Sequence, residues 1–430
     1  MSMWWLMRLR SFSPDTLHSA CLAIVKIIYL HQYFLTPDMA GGTRSYEMAR
    51  RLVRAGHEVH MITSDQRAGS SASKWRVSTE GGIRVHWANV PYGNEMGFGR
   101  RLLSFVRFAI AASSHAVRLD GDVIFATSTP LTIALPALFA STLERIPFVF
   151  EVRDLWPDVP IAIGAIRNPV AIWAAKKLES LTYRRAAAIV ALAPGMREDI
   201  IAKGIPPEKV YVIPNGCDLD VFGNVATRVS PRDNCLWLGT RKMVLYAGTI
   251  GLVNGVDYLV RLAARVAATD PEVRFVVIGE GRERDVVLAL AKREGVLGSS
   301  FFMLPPVPKR ELAGWLKSAD MIVALFTGPR MVWKDGVQNK FFDALAAGKP
   351  IANNFDGWQS RVAEDAKVGL TLDPKNIDKA AGQLLAALAD EPWLRSVPAR
   401  ARELAEGPFN RDRLAEQLEQ VLRGAAAGKL

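Results

Sequence analysis

Short apolar runs alternate along most of the chain with longer stretches in which apolar residues recur at threes and fours. In the first half the short runs predict strands at 25–30, 59–62, 83–88, 123–126, 148–152, 189–192 and 210–213. The longer stretches predict helices at about 43–55, 102–119, up to 144, and near 170–185. Strands that are apolar throughout are buried on both faces, as in a parallel sheet covered by helices on each side. A polar, irregular stretch with Pro231 and Gly239 interrupts the pattern. It restarts with strands at 244–247, 273–278, 301–304, 321–325 and near 351. Towards the end Leu414, Leu418 and Leu422 recur at fours and predict an amphipathic helix over 410–423.

The fold class expected is α/β, with two doubly wound, Rossmann-like units. The predicted organisation is a leader at 1–22, a first unit at 23–222, a linker at 223–241, a second unit at 242–408 and a terminal helical segment at 409–430. In doubly wound sheets ligands sit at the carboxyl ends of the strands, so two such units facing each other would form a cleft there.

Composition narrows the function classes only in part. The chain of 430 residues is ample for two cores, and half apolar with 23% charged is ordinary for a globular protein. A net charge of +11 suits nucleic acid, anionic lipid headgroups or phosphorylated substrates alike. No nucleic-acid motif accompanies it, so nucleic acid is not an expected partner. Cys21, Cys217 and Cys235 are scattered without metal-ligand spacing, which points to a reducing compartment. Asp218-Leu219-Asp220 has the form of a D-x-D metal motif, but its Pro-Asn-Gly surroundings account for it as hinge structure, and no metal cofactor is expected. The start of the chain, with Trp4, Trp5, Arg8 and Arg10, lacks the long apolar region of a signal peptide. It reads equally as a membrane-interface contact or as a leader without structure. Residues 123–143 carry no charge and are long enough to span a bilayer, but Pro130, Pro136 and six Ser or Thr favour a buried strand, loop and helix.

The stretch 335–350, DGVQNKFFDALAAGKP, holds the most chemistry. Phe341, Phe342, Leu345 and Ala346 predict a helix starting near Asn339, and Gly348 and Pro350 stop it. A helix start exposes unpaired N–H groups and a partial positive charge, which suits a phosphate. Asp335 and Asp343, separated by seven residues, flank that start and can accept hydrogen bonds from several hydroxyls. Hydroxyls plus diphosphate describe a nucleotide sugar. The plainer reading is that Asp343 complements its own helix dipole and Asp335 is a loop acid.

Other candidates lie at predicted strand ends. Gly41 and Gly42 permit close backbone approach at a helix start, and Arg44 adds a charge there. The run EVRDLWPD at 151–158 brings Arg153 and Asp154 to a strand end, where an ion pair shaping the loop is the competing account. Gly248 and Gly251 end the first strand of the second unit and let a diphosphate approach the backbone. Gly279-Glu280-Gly281 resembles part of a dinucleotide fingerprint, but Arg284 stands where the third glycine belongs. Residues 96–119 contain no acid and interleave Arg100, Arg101, Arg107 and Arg118 with apolar residues. Such a helix rests on an anionic membrane or forms a core helix with a solvated basic edge.

The stretch 335–350 resembles the signature of retaining glycosyltransferases of family four, which have the GT-B fold: two acids separated by seven residues, then A-x-G-x-P, here Ala347-Gly348-Lys349-Pro350. This chain has Asp at both positions where Glu is usual. The resemblance implies that Asp335 lies beside the donor sugar and that Asp343 holds the ribose hydroxyls. It makes Gly41 and Gly42 an acceptor-side loop, places Glu280 and Gly281 near the nucleotide with 302–304 beside the base, and sends the terminal helix back to the first domain. Family members often carry a histidine beside the donor sugar where this chain has Arg153, and an Arg and a Lys near the diphosphate where 247–258 has neither. Lys340 is the substitute expected. The run R-D-L-W-P resembles a subgroup that builds bacterial surface polysaccharides, including N-acetylfucosamine transferases.

The function implied is transfer of a sugar, with retention, from a UDP-sugar to a glycan on polyprenyl pyrophosphate, at the inner face of the cytoplasmic membrane and without a metal. The products would be O-antigen or capsule-like polysaccharides. Two rivals remain at this point: a nucleotide-sugar 2-epimerase of the same architecture, and a non-catalytic nucleotide-sugar-binding partner.

Overall fold

The computed structural model describes residues 24–430 apart from 40, 66–72, 92–95, 97 and 224–229. The predicted leader at 1–22 and part of the predicted linker lie outside these. The chain divides into two compact units, one formed by 1–36, 43–214 and 411–430 and the other by 37–42 and 215–410.

Unit 1 is built on eight strands: β1 (Lys26–Leu30), β2 (Glu58–Ser64), β3 (Trp75–Glu80), β4 (Ile83–Ala88), β5 (Val123–Thr127), β6 (Phe148–Val152), β7 (Ala188–Ala191) and β8 (Val210–Val212). Their order is β3-β4-β2-β1-β5-β6-β7-β8. All pairs are parallel except β3 with β4. The central strands are buried along their length, apart from Lys26 at the start of β1, which is why they read as unbroken apolar runs. No residue of the edge strand β3 is buried and four of its six are polar, so the same pattern passes over it. The strand leads into β4 through Gly81 and Gly82, whose φ values of 58° and 84° are those a tight two-residue hairpin turn requires. Helices α1 (Arg44–Arg54), α2 (Phe98–Val117), α3 (Ala134–Glu144) and α4 (Pro169–Arg185) belong to this unit. The uncharged stretch 123–143 is β5, a short 3-10 turn and most of α3. Among the described residues no helix is long and apolar enough to cross a membrane.

Unit 2 has a six-stranded, wholly parallel sheet of β9 (Met243–Ala247), β10 (Arg274–Ile278), β11 (Phe301–Leu304), β12 (Met321–Ala324), β13 (Ile351–Asn353) and β14 (Gly369–Thr371), in the order β11-β10-β9-β12-β13-β14. The three-residue β14 carries too little pattern to be seen in the sequence. Its helices include α5 (Val256–Ala267), α6 (Lys309–Ser318), α7 (Arg330–Trp333), α8 (Asn339–Ala346) and α9 (Trp358–Asp365). Val244, Tyr246, Leu259, Phe275 and Val323 are central to its core.

The chain enters unit 2 at Asn215, earlier than the sequence pattern suggests. The described part of the predicted linker is packed structure. Pro231–Asn234 form a helical turn under a Ser230–Asp233 capping box. Arg232 donates to the carbonyls of Gly239, Arg241 and Ser318 and to Asp320, which fastens the turn to α6 and β12. The last helix, α10 (Arg411–Ala426), belongs to unit 1. Leu414, Leu418 and Leu422 are its buried stripe. Arg51 on α1 donates to Asp412 at 2.5 Å, and His57 lies 3.1 Å from Glu419.

Candidate active site

In unit 2 the loops after β9 and β10, together with α8, gather the predicted donor-binding residues. Lys340 occupies the first turn of α8 and is largely sheltered. Its Nζ donates to Gln338 Oε1 at 3.1 Å and lies 4.5 Å from the centre of the Tyr246 ring. A Cβ on Gly248 would stand 3.4 Å from Lys340 Cε and Nζ, so the glycine backbone and the ammonium are neighbours. Burial lowers the Lys340 pKa to about 8, although Asp343 pulls the other way. The charge is therefore present at neutral pH and poorly compensated.

The start of α8 is fixed from both sides. Gln338 N–H donates to Gln359 Oε1, and Gln359 Nε2 donates back to the Gln338 carbonyl, both at 3.0 Å. Gln338 Nε2 reaches the carbonyl of Leu325 at the end of β12. Asn339 accepts from Asn215 Nδ2 at 2.9 Å. Gly42 lies so close that a Cβ there would meet Asn339 Nδ2 at 2.6 Å. The glycine pair expected on the acceptor side thus stands in unit 2, with Gly42 against the N-terminus of the donor-side helix.

Both aspartates are sheltered. Asp335, on the loop between α7 and α8, is 4% exposed, with Lys334 Nζ 3.4 Å from its carboxylate. Asp343 lies in the second turn of α8, and Lys309 Nζ on α6 is 3.7 Å from its Oδ1. The same Lys309 forms a closer ion pair with buried Asp218. Asp343 thus answers to a neighbouring cation rather than only to its helix dipole, and Asp218 is a salt-bridge acid.

The glycine-rich loops of unit 2 have a packing requirement of their own. A Cβ on Gly279 would be 1.9 Å from the Gly248 carbonyl oxygen, and one on Gly281, at φ 155°, would be 2.3 Å from the Ile250 carbonyl oxygen. The two loops run backbone to backbone, joined by Gly248 N–H to the Ile278 carbonyl and Ile250 N–H to that of Glu280. Glu280 is exposed and pairs with Arg284 at 3.5 Å. Gly251 N–H donates to Asn254 Oδ1 at 3.2 Å, capping the turn that leads to α5. Gly279→Ala is expected to destabilise unit 2 by about 1–3 kcal/mol through overpacking, measured by denaturant unfolding, because a backbone oxygen has no rotamer to yield.

In unit 1 the ends of β1, β5 and β6 carry the remaining candidates. Arg44, expected to point its charge into an acceptor site, is instead 1% exposed. Its guanidinium donates to Glu151 Oε1 at 2.8 and 3.0 Å and to the carbonyls of Ile213 and Pro214. That four-bond setting makes it a structural tie between α1, β6 and the segment after β8. Burial would raise the Glu151 carboxyl, but the charges of Arg44 and Arg153, with hydrogen bonds from Arg44 and Thr127, outweigh it and hold it below the usual carboxylate range. Arg153 is half-buried, and its Nη1 lies 3.3 Å from His31 Nε2. Burial and the Arg153 charge keep His31 neutral, so Nε2 accepts from the guanidinium. Asp154 is exposed. Asp158 pairs with Lys203 at 2.6 Å.

Comparison with known proteins bears on both units. Residues 40–216 match the family described as "Glycosyl transferase 4-like domain" and residues 241–390 match "Glycosyl transferases group 1". The chain is a glycosyltransferase of family four. It is 28% identical over 382 residues to a D-inositol 3-phosphate glycosyltransferase of Xylanimonas cellulosilytica, covering 84% of this chain and 87% of that protein. It is 23% identical over 407 residues to the putative colanic acid biosynthesis glycosyl transferase WcaI of Escherichia coli, covering 90% and 98%. Its fold is similar to that of Anabaena Alr3699/HepE, solved in complex with UDP and glucose, with a TM-score of 0.68, 16% identity and coverage of 93% of this chain and all of that one. The two Rossmann-like α/β units are those of the GT-B architecture.

Several groups around the glycosyltransferase's candidate site escape sequence reading. Gln338 and Gln359 are ordinary polar residues until their reciprocal pairing is seen. Lys309 sits 91 positions from Asp218 and carries no local signal. His31 lies in the loop after β1, and its nearness to Arg153 puts an imidazole beside the arginine singled out in the sequence.

Proposed function

We propose that the enzyme transfers a sugar from a UDP-sugar, with retention of configuration, to a sugar on polyprenyl pyrophosphate in the synthesis of a surface polysaccharide, working at the inner face of the cytoplasmic membrane. The observation that carries the donor reading is the placement of Lys340 beside Gly248, at the start of a helix flanked by sheltered Asp335 and Asp343. A protonated ammonium, helix N–H groups and glycine backbone together suit a diphosphate. UDP is favoured over GDP by the likeness to HepE, whose structure holds UDP and glucose. The polysaccharide reading draws on the likeness to WcaI, named for colanic acid biosynthesis, and on the R-D-L-W-P run, which also suggests an N-acetylated amino or deoxyamino sugar.

In the proposed step the bond from the sugar C1 to the diphosphate oxygen breaks, and the acceptor oxygen bonds to C1 on the same face. The acceptor proton passes to the leaving diphosphate. Lys340 takes the place of a metal in meeting the negative charge that develops there. Asp335 stabilises or orients the cationic sugar, Asp343 accepts from the ribose hydroxyls, and Arg153, with Asp154 beside it, offers its guanidinium to a sugar hydroxyl or a diphosphate oxygen. Asp335→Asn keeps the shape and removes the charge. It is expected to lower kcat roughly tenfold while leaving nucleotide affinity within a factor of about two. Unchanged turnover would remove Asp335 from the mechanism.

The whole reading is tested by nucleotide release from a panel of UDP- and GDP-sugars. Each is offered alone, with a short polyprenyl-pyrophosphate-linked sugar, and with D-inositol 3-phosphate. Release that needs one UDP-sugar and the lipid acceptor is the expected result. Release with the inositol phosphate instead would reassign the acceptor.

A further inference from the structure

We propose that α2, α3 and α4 together form the surface by which the protein docks on an anionic lipid bilayer. The proposal rests on the function above only for the kind of membrane, and its argument comes from the outer faces of three neighbouring helices. α3 packs against both α2 and α4. On α2, Leu103, Val106 and Ile110 are 56%, 41% and 67% exposed at a spacing of three and four, while Phe108, Ala112 and Ala116 face the core. On α3, Leu135, Phe139 and Leu143 repeat every fourth residue and are each more than 40% exposed. On α4, Val170, Trp173 and Leu181 are 71%, 62% and 47% exposed. Single exposed apolar side chains need no explanation, but three adjacent helices each turning an apolar stripe to solvent do.

Charge chooses the occupant. Arg100 and Arg107 on α2 and Lys176, Lys177, Arg184 and Arg185 on α4 are exposed among these stripes. Only one exposed acid, Glu144, lies on the three helices, because Glu179 is buried and tied to Lys203. A second copy of the chain meeting this face symmetrically would set cations against cations. An anionic bilayer accepts both parts at once: apolar side chains enter the headgroup boundary, Trp173 sits at the depth its ring prefers, and the cations meet lipid phosphates. The basic apolar helix noted in the sequence is therefore one third of a larger face. The other two thirds carry no such signal there: α3 falls in a stretch read as a buried strand, loop and helix, and α4 is predicted only as a helix near 170–185.

The test is co-sedimentation of the full-length protein with sucrose-loaded vesicles, phosphatidylglycerol with phosphatidylethanolamine against phosphatidylcholine alone. Neither donor nor acceptor is present, so the result stands apart from the transfer assay. Binding to the anionic vesicles is expected, with roughly tenfold or greater weakening on neutral ones. Phe139→Asp with Trp173→Asp, and separately Lys176→Glu with Lys177→Glu, should each weaken binding by roughly tenfold or more at unchanged melting temperature. Phe139→Ser with Trp173→Ser gives the same reading without added charge. Undiminished binding by all these variants, whose first 23 residues are intact, would overturn the proposal, as would equal binding to neutral vesicles or none by the parent protein. Concentration-dependent dimers in sedimentation velocity that the same substitutions dissolve would assign the face to a second copy instead.

Discussion

Arg44→Leu is expected to destabilise unit 1 by about 3–5 kcal/mol, the range for removing one partner of a buried ion pair, and to lower its Tm by roughly 10 °C. The cost does not come from the lost attraction alone. Glu151 is fully buried, and among the described residues its charge, without Arg44, keeps only Thr127 Oγ1 as a close hydrogen-bond donor, at 2.5 Å, and the more distant field of Arg153. The carbonyls of Ile213 and Pro214 also lose their donor. The sign of the pH dependence follows. In the parent protein the Glu151 carboxyl is held below its ordinary value, so its contribution is present above the ordinary carboxylate pKa and is lost as pH falls through the depressed one. In the variant, burial acts unopposed by Arg44 and raises that pKa. The gap in Tm between the two proteins should therefore narrow as pH is lowered. Arg44→Leu combined with Glu151→Gln should recover part of the loss at neutral pH, because the buried charge is gone. Thermal melts across pH 4–8 (about neutral to mildly acid) check both statements. A variant as stable as the parent at pH 7 would mean that the tie is not what holds these segments together.

The same residue shows where sequence reasoning stops. Arg44 follows a glycine pair at a helix start, and locally that is a description of an anion site. Its partner Glu151 is 107 positions away, and only the fold brings the two together. The α/β class was legible because buried parallel strands leave unbroken apolar runs, as in 148–152. The helix α8 was legible because its apolar spacing and the Gly348 and Pro350 stop are local. The polar edge strand β3 and the short β14 left no such trace. The glycines at 279 and 281 resemble part of a dinucleotide fingerprint in the sequence, whereas the structure gives each a carbonyl oxygen that any Cβ would strike. Chemistry carried by one segment can be read from the segment. Chemistry assembled from two, such as Lys309 with Asp218 and Asp343 or His31 with Arg153, becomes visible only when the strand ends are placed.

Lys340→Met is expected to lower kcat by about 10²–10³, the usual cost of removing one group that meets developing negative charge in a sheltered site. Methionine keeps the length and apolar stem that pack over Tyr246, so the fold should persist and a melting curve should show it. The pH profile distinguishes a charge-stabilising role from a packing one. Burial sets the Lys340 pKa at about 8 in the unliganded protein, so the cation is present below that pH and lost above it. The profile of kcat/KM, which reports the free enzyme, should fall on its alkaline side near pH 8. A bound diphosphate favours the charged form, so the matching fall in kcat should lie at higher pH. Lys340→Arg keeps a cation that does not titrate in this range. Whatever activity that variant retains should lose the alkaline fall near pH 8. Full activity in Lys340→Met, or an alkaline fall unchanged in Lys340→Arg, would take the diphosphate away from this lysine and leave the helix N–H groups and the glycine backbone to meet it alone.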